Sequence, residues 1–230
     1  VNIELRCKEA SRWAAADYNI ADEQFALNTR PAMAEHISDG GKLTISNGTI
    51  TGTDKTGKAF SMSFDSNGKM TSWTYDSKSL LHTAANGTIA AGAAPDFNSQ
   101  RNIDNDKAET YKIACASGST STSITQPLSI DATGSATMTV KGEATNCSYT
   151  IAYTFYPDAT IDMQVSFSPT AATRRLGLGM QFAQGFENVE FYARGPRSNY
   201  SDRKTGSYLG RYTTTIDDMI EEQIMKICVN

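Results

Sequence analysis

Residues Tyr149 to Phe167 read Tyr-Thr-Ile-Ala-Tyr-Thr-Phe-Tyr-Pro-Asp-Ala-Thr-Ile-Asp-Met-Gln-Val-Ser-Phe. Apolar and polar side chains alternate on both sides of Pro157–Thr160, and this period of two is typical of strands that bury one face. Proline, aspartate and threonine between the two runs favour a turn. The stretch therefore predicts an antiparallel β-hairpin with one face in a core.

The same alternation recurs along the chain. It is found in Phe60–Phe64 and Met70–Tyr75, on either side of the turn Asp65–Gly68, and again in Ala136–Val140. A helical pattern is limited to a short stretch at Ala10–Ala16. Strands at hairpin spacing without intervening helices favour an antiparallel sandwich over a parallel sheet. We therefore expect an all-β fold.

A domain boundary is expected near Asn28–Pro31. Two strands precede it, at about Val1–Lys8 and Asn19–Leu27, and the long β series follows it. Because a lone hairpin is marginal in water, residues 1–30 are interpreted as the end of a domain whose beginning is missing. Residues 31–230 are expected to form one large β-sandwich.

The composition argues against several classes of partner. The chain has 230 residues and a formal net charge of −4, which gives no electrostatic reason to bind nucleic acid or an anionic membrane. No apolar run approaches the roughly 18–20 residues that span a bilayer. Acidic or uncharged partners, including neutral sugars, remain open.

The four cysteines are too widely spaced for a zinc-binding pattern. Cys115 and Cys147 lie on neighbouring predicted strands, so a disulfide between them is one alternative in an oxidising compartment. The favoured interpretation is that the cysteines are small buried side chains.

The sequence offers few groups for catalysis. Glycoside hydrolysis normally needs two carboxylates about 5–10 Å apart, but Glu187 and Glu190 have an odd spacing that places them on opposite faces of a strand. His36 and His82 are the two histidines, and neither has an evident acid or serine partner. Asp104-Asn105-Asp106 begins like a calcium loop but lacks its glycine and distal glutamate. Turn capping is its favoured role.

Polar and aromatic residues crowd around a Gly-Pro turn in Phe191-Tyr-Ala-Arg-Gly-Pro-Arg-Ser-Asn-Tyr-Ser-Asp-Arg203. Side-chain hydrogen bonds and charged pairs can close such a loop on itself, and we expect Asp202 to pair with Arg194 or Arg203. The favoured interpretation is a rigid loop at a sandwich edge. The alternative is a polar, aromatic surface for a sugar or a neighbouring domain.

This segment resembles a signature of the family 2 glycoside hydrolases of β-galactosidase type, which runs approximately G-R-G-P-x-E-N-Y-x-D-R and continues with x-G-x-Y. Residues Arg194–Arg203 and Leu209–Tyr212 match it, with Ala193 in place of the first glycine and Ser198 in place of the glutamate.

Three further stretches agree with the family in the expected order. Trp13–Leu27 resembles the final strands of its immunoglobulin-like domain, and Phe60–Leu81 resembles the opening hairpins of its last, mutarotase-like domain. Phe97–Asp106 is similar to the Arg-x-x-x-Asp-Asn-Asp stretch of that last domain, shifted by one residue. The resemblance therefore covers nearly the whole chain.

The resemblance implies an all-β, galactose-mutarotase-like supersandwich preceded by a remnant immunoglobulin-like hairpin. Both catalytic glutamates of the family lie on a (β/α)₈ barrel that would precede Val1. No catalytic residue and no cofactor are therefore expected in this chain, and any Mg²⁺ or Na⁺ of the parent enzyme would bind elsewhere. The strand pattern of Glu109–Ala114 implies a shortened loop after Asp106. The ending Met225–Asn230 implies that the sandwich is incomplete at its C-terminus.

The resemblance also implies a function, namely to support and shape the active-site rim of an enzyme that cleaves terminal β-galactosides. The residues expected to contact carbohydrate or line that rim are Arg101, Asp104, Asn105, Asp106, Arg194, Asn199, Tyr200, Asp202 and Arg203.

Two other functions stay open. A free-standing carbohydrate-binding module would need exposed aromatic platforms, for which the candidates are Trp73, Tyr75, Tyr192 and Tyr200. An aldose epimerase would need a facing histidine and glutamate, and is disfavoured.

The expected partners are a β-galactoside, bound through the parent enzyme, and the missing barrel, without nucleic acid or membrane. An unfinished sheet edge would favour a homo-oligomer. A periplasmic or secreted bacterial location would suit such a parent.

Overall fold

The computed structural model describes residues 1–27, 36, 41–99, 118–171, 176–196, 199 and 204–219. Within these ranges the chain is built from strands, with a short helical turn at 216–219 and turns instead of a helix at 10–16. The all-β prediction is confirmed. The chain divides into two compact units, one formed by Val1–His36 and Glu187–Asn230, the other by Ile37–Phe186.

The described residues of the larger unit form eleven strands in three antiparallel sheets. The five-stranded sheet has the order β3-β4-β5-β6-β7, with bounds β3 Thr44–Ser46, β4 Thr49–Thr53, β5 Ala59–Phe64, β6 Met70–Tyr75 and β7 Lys78–Ser79. The four-stranded sheet has the order β12-β11-β10-β9, with bounds β9 Ser121–Ile130, β10 Ala136–Ala144, β11 Cys147–Phe155 and β12 Ile161–Pro169. A small sheet pairs β8 Asp96–Asn98 with β13 Gly177–Gly179.

The two large sheets enclose the core between them. In β11 every second residue is buried, from Cys147 to Phe155, as the alternation predicts. The opposite sheet contributes Phe64, whose ring centroid lies 5.7 Å from that of Tyr153 and 5.6 Å from that of Phe155. The predicted hairpin is confirmed, because β11 pairs with β12 in the register Phe155↔Ile161.

Two glycines in these sheets lie beneath aromatic rings on the neighbouring strand. Gly142 pairs with Tyr149, and a Cβ atom on Gly142 would lie 2.1 Å from the Tyr149 ring. Gly52 pairs with Phe60 in the same way, at 2.3 Å. Such pairs let a large ring cover a strand position that has no side chain of its own. The glycines are therefore part of the core packing.

Where the structure describes it, the smaller unit consists of two hairpins, one from each of its two sequence segments. In the first hairpin β1 (Asn2–Arg6) pairs with β2 (Asn19–Gln24), and in the second β14 (Asn188–Gly195) pairs with β15 (Tyr208–Thr215). Hydrogen bonds join the hairpins: the Tyr208 hydroxyl donates to the Asp22 carboxylate, and Gln24 bonds to the main chain of Leu209.

The predicted boundary at Asn28–Pro31 lies outside the described residues, so the division at residue 30 stays a prediction. Cys115 also lies outside them, and its pairing with Cys147 is likewise still a prediction. None of the helical residues in the described ranges forms a segment long and apolar enough to cross a membrane.

Candidate functional site

Arg194 and Asn199 are the two predicted site residues that the structure describes. The Arg194 guanidinium Nη1 donates to the carbonyl of Ser207 at 3.0 Å, and the Asn199 amide Nδ2 donates to the carbonyl of Arg194 at 3.1 Å. Ser207 is 6% exposed. Arg194 thus joins the end of β14 to the residue before β15, and Asn199 bonds back to the end of β14.

The glycines of this motif pack against Tyr212. A Cβ atom on Gly195 would lie 2.9 Å from the Tyr212 ring, and one on Gly210 would lie 3.1 Å from it. The ring also contacts Phe191 at a centroid distance of 5.5 Å, and its hydroxyl donates to the carbonyl of Tyr208 at 2.7 Å. This role of the glycines and the tyrosine was not predicted from the sequence, because it depends on the register of two strands.

The opposite face of the β14–β15 hairpin is exposed. Glu190, Tyr192 and Arg194 alternate with the inward residues of β14, and Tyr192 lies directly opposite Arg211 on β15. Tyr192 is 67% exposed. The Arg211 guanidinium forms an ion pair with the Glu190 carboxylate. An aromatic ring beside a charged pair therefore faces solvent.

The first hairpin supports β15 through residues that the sequence analysis did not single out. Asp22 accepts hydrogen bonds from Tyr208 and, at 2.6 Å, from Asn19. The hydrogen bond to Asp22 raises the pKa of Tyr208 to about 12. The Gln24 amide accepts from the Leu209 N–H at 2.8 Å and donates to the Leu209 carbonyl at 3.0 Å. Because 185 residues separate these partners, no local pattern could have indicated the contact.

In the larger unit, Asp96 is the centre of a partly buried polar cluster. Its Oδ1 atom accepts from the Tyr149 hydroxyl at 2.9 Å and from the main-chain N–H of Ser119 at 3.1 Å. Lys69 Nζ lies 3.6 Å from Oδ2. Burial, together with the negative charge of Asp96, raises the pKa of Tyr149 to about 12. The Gly118 N–H also donates to the Phe97 carbonyl at 2.8 Å. These bonds hold the described residues before residue 100 next to those after residue 117.

Seven predicted site residues lie outside the described ranges: Arg101, Asp104, Asn105, Asp106, Tyr200, Asp202 and Arg203. Their roles, and the pairing of Asp202 with Arg194 or Arg203, stay predictions.

Of the candidate aromatic platforms, Trp73 packs on the core and lies 6.3 Å from the ring of Phe182. Tyr75 also packs on the core, and its hydroxyl donates to Asp54 at 2.6 Å. This bond holds the pKa of Asp54 well below its usual range.

A groove of about 560 Å³ runs along the outer face of the five-stranded sheet. Its hydroxyl groups bond to one another, Thr44 to Thr51 at 2.6 Å and Ser61 to Thr74 at 2.7 Å. Phe60 lines it but is 3% exposed, so none of the described lining residues offers an aromatic platform. The groove is therefore a weaker candidate for a ligand site than the β14–β15 hairpin.

Among the described residues, no group of three or more histidine, cysteine, aspartate or glutamate side chains could hold a metal ion. The expectation of a chain without a cofactor stays a prediction.

The family of beta galactosidase small chains matches residues 56–225 of this sequence. The chain belongs to this family. The resemblance found at Arg194–Arg203 is thereby confirmed, because the matched range includes it. The match also covers both hairpins that predicted the fold.

Curated β-galactosidases align with almost the whole chain. The protein of Priestia megaterium is 27% identical over 234 residues, which cover 96% of this chain and 21% of that protein. The protein of Lactococcus lactis subsp. lactis is 25% identical over 233 residues, which cover 95% of this chain and 23% of that protein. The chain therefore spans about a fifth of the length of these relatives. A β-galactosidase of Staphylococcus xylosus is 36% identical over 61 residues.

Proposed function

We propose that this chain is the non-catalytic, C-terminal β-sandwich portion of a β-galactosidase, mutarotase-like in fold, and that it supports and shapes the active-site rim. The observation that carries the proposal is the alignment of nearly the whole chain with about a fifth of full-length β-galactosidases. The catalytic carboxylates of the two-carboxylate mechanism would then lie in the remaining part of the parent enzyme, on its barrel.

The closed chain segments give the supporting role a physical basis. Residues 100–117 and 200–203 carry most of the expected rim residues, and described contacts hold together the residues that flank each of these segments. At the first segment these contacts are made by Asp96 and Gly118. At the second they are made by Arg194 and Asn199. Fixing both ends of a segment lowers the entropy that it would lose on contacting a substrate.

The proposed partners follow from the same role. The chain would contact a β-galactoside through the parent enzyme and would pack against the catalytic barrel. We also propose a homo-oligomer that forms through a sheet edge. In the described residues β12 is the outermost strand of the four-stranded sheet, and an edge strand of this kind can pair with a strand of another chain.

A turnover assay tests the non-catalytic role. The purified chain, at micromolar concentration, is incubated with a chromogenic β-galactoside beside a full-length β-galactosidase as positive control. We expect no turnover above the buffer rate. Turnover that is abolished by substituting Glu187 or Glu190 with glutamine would overturn the proposal, since it would place a catalytic carboxylate in this chain.

A second assay tests the rim role. The chain is expressed together with the rest of a parent β-galactosidase, and kinetic constants are compared for the wild type and Asp96→Asn. We expect a higher KM in the variant, because the neutral amide weakens the closure of residues 100–117. Unchanged kcat and KM would contradict a role of this segment at the rim.

A further inference from the structure

Three asparagine–glycine pairs lie in turns of the larger unit: Asn47-Gly48, Asn67-Gly68 and Asn86-Gly87. An asparagine before glycine is prone to deamidation, because the glycine has no side chain to hinder attack by its main-chain nitrogen on the asparagine amide. The attack requires that this nitrogen can lose its proton and that the asparagine amide can turn towards it. Hydrogen bonds at both groups therefore decide which of the three pairs reacts.

Two of the pairs are restrained by hydrogen bonds. The N–H groups of Gly68 and Gly87 each donate to the carbonyl three residues before them, at 3.0 Å and 2.9 Å. The side-chain Oδ1 of Asn86 also accepts from the Thr88 N–H at 3.1 Å and from the Thr88 hydroxyl at 2.8 Å. A donated proton is harder to remove, and a bonded amide is harder to turn. Both pairs should therefore react slowly while the chain is folded.

The pair Asn47-Gly48 lacks these restraints. It forms the two-residue turn between β3 and β4, where Ser46 pairs with Thr49, and its φ angles are 47° and 73°. Positive φ at both central residues is typical of a type I′ turn. Among the hydrogen bonds between described residues, none is donated by the Gly48 N–H and none involves the Asn47 side chain, which is exposed. The nucleophile and its target are thus both free.

We propose that Asn47 is the preferred deamidation site of the folded chain. Hydroxide removes the proton of the Gly48 N–H, the nitrogen forms a bond to Cγ of Asn47, and the side-chain nitrogen leaves as ammonia. Water then opens the resulting five-membered succinimide at either of its two carbonyl groups. The products are aspartate and isoaspartate, each with one more negative charge than asparagine. The inference is independent of the proposed function, because Asn47 lies outside the segments that carry the expected rim residues.

The isoaspartate product should destabilise the five-stranded sheet. Isoaspartate adds one methylene group to the main chain, so it lengthens a loop of two residues. The Gly48 carbonyl accepts a hydrogen bond from the Phe64 N–H at 2.9 Å, and the Phe64 side chain is part of the core. Moving that carbonyl disturbs the strand position from which Phe64 enters the core. The isoaspartate form should therefore melt at a lower temperature than the unreacted chain.

The test compares the three pairs within one sample. The purified full chain is incubated at mildly alkaline pH and physiological temperature, and peptide mapping by mass spectrometry gives a deamidation rate for each asparagine. In the folded chain, the rate at Asn47 should exceed the rates at Asn67 and Asn86 at least fivefold. In concentrated urea the three rates should agree within about twofold, because each asparagine follows a small residue and precedes a glycine.

Asn47→Gly provides the matched variant, because a Gly-Gly pair also fits a type I′ turn. It should remove most of the isoaspartate that isoaspartyl methyltransferase labels in the folded chain, and it should leave the rates at Asn67 and Asn86 unchanged within twofold. A rate at Asn67 or Asn86 equal to that at Asn47 in the folded chain would overturn the proposal. The same fivefold preference in urea would also overturn it, since local sequence and not the free N–H would then select the site. The wild-type comparison decides the question even if Asn47→Gly alters the melting temperature.

Discussion

The two units of this molecule are stabilised by different interactions. In the larger unit, apolar side chains from both large sheets form a continuous buried cluster, among them Ile50, Met62, Met138 and Phe155. In the described part of the smaller unit, Ala14 is the buried apolar side chain. Its two hairpins depend on main-chain ladders and on a few side-chain hydrogen bonds. Because hydrogen bonds contribute less net stability than apolar burial, the larger unit should unfold last.

Phe155→Ala should lower the stability of the larger unit, and its effect should be the largest of the substitutions below. Phe155 is fully buried and lies 5.6 Å from Phe64 and 5.5 Å from Tyr153, measured between ring centroids. Removing such a ring from a core costs about 3–5 kcal/mol. Urea denaturation followed by tyrosine fluorescence should show a large fall in the midpoint of the larger unit. Phe182→Ala is the control, because Phe182 is 50% exposed; an equal loss there would contradict a stability centred on the two sheets.

Gly142→Ala should have the next largest effect. The new Cβ atom would lie 2.1 Å from the Tyr149 ring, so the ring or the strand must shift. Overpacking of this kind costs about 1–3 kcal/mol. The melting temperature should fall, whereas Gly206→Ala in the smaller unit should leave it unchanged, since nothing lies within 4 Å of that position. A harmless Gly142→Ala would mean that Tyr149 is free to move.

The two units can also be compared through one tyrosine–aspartate hydrogen bond in each, that of Tyr149 with Asp96 in the larger unit and that of Tyr208 with Asp22 in the smaller unit. The pKa of Tyr149 in the folded chain is about 12, above its ordinary value of 10.0. As the pH rises, the unfolded chain therefore loses the Tyr149 hydroxyl proton at a lower pH than the folded chain does. The contribution of this hydroxyl to the free energy of unfolding is full below pH 10 and is lost between pH 10 and 12. Tyr149→Phe should cost about 1–3 kcal/mol at neutral pH by leaving Asp96 short of a donor.

Stability measured from pH 8 to pH 12 checks this assignment. Tyr149→Phe should show a shallower loss of stability above pH 10 than the wild type. Tyr208→Phe removes the corresponding bond to Asp22 in the smaller unit, at an exposed position, and should change global stability less. A larger effect from Tyr208→Phe would reverse the expected order of the units.

Gln24→Ala should have the smallest effect. The Gln24 amide bonds to both main-chain groups of Leu209, but it lies at the surface. We expect a loss below about 1 kcal/mol and faster hydrogen exchange at the Leu209 amide. Gln164→Ala, on an exposed position of β12, is the control and should change neither. Unaltered exchange at Leu209 would mean that the two hairpins do not depend on this contact.

The sequence predicted the elements that have a local pattern. Alternation at Tyr149–Phe167 gave the β11–β12 hairpin, and alternation at Phe60–Tyr75 gave β5 and β6. It did not predict that Gly142 lies under Tyr149, because this depends on which residues face each other across strands. It also did not predict the contact of Asp22 with Tyr208, since residues so far apart in sequence share no periodicity.

The candidate site was also predicted only in part, because some of its contacts join residues from distant segments of the chain. The motif at Arg194–Arg203 was recognisable from its residues alone, and its family is confirmed. The role of Asp96 was not recognisable, because a single aspartate before Phe97 looks like an ordinary strand residue. Its partners Lys69, Ser119 and Tyr149 come from three separate segments. Only the folded chain brings these donors to one carboxylate.

The order of the segments along the chain has a consequence for deletion experiments. The smaller unit is assembled from Val1–His36 and Glu187–Asn230, so the sequence of the larger unit, Ile37–Phe186, is inserted between its two halves. Shortening the chain from the first residue removes β1 and β2, and shortening it from the last removes β15 and β14. Truncation from either end therefore damages the same unit first, and the inserted unit is the part that stays intact longest.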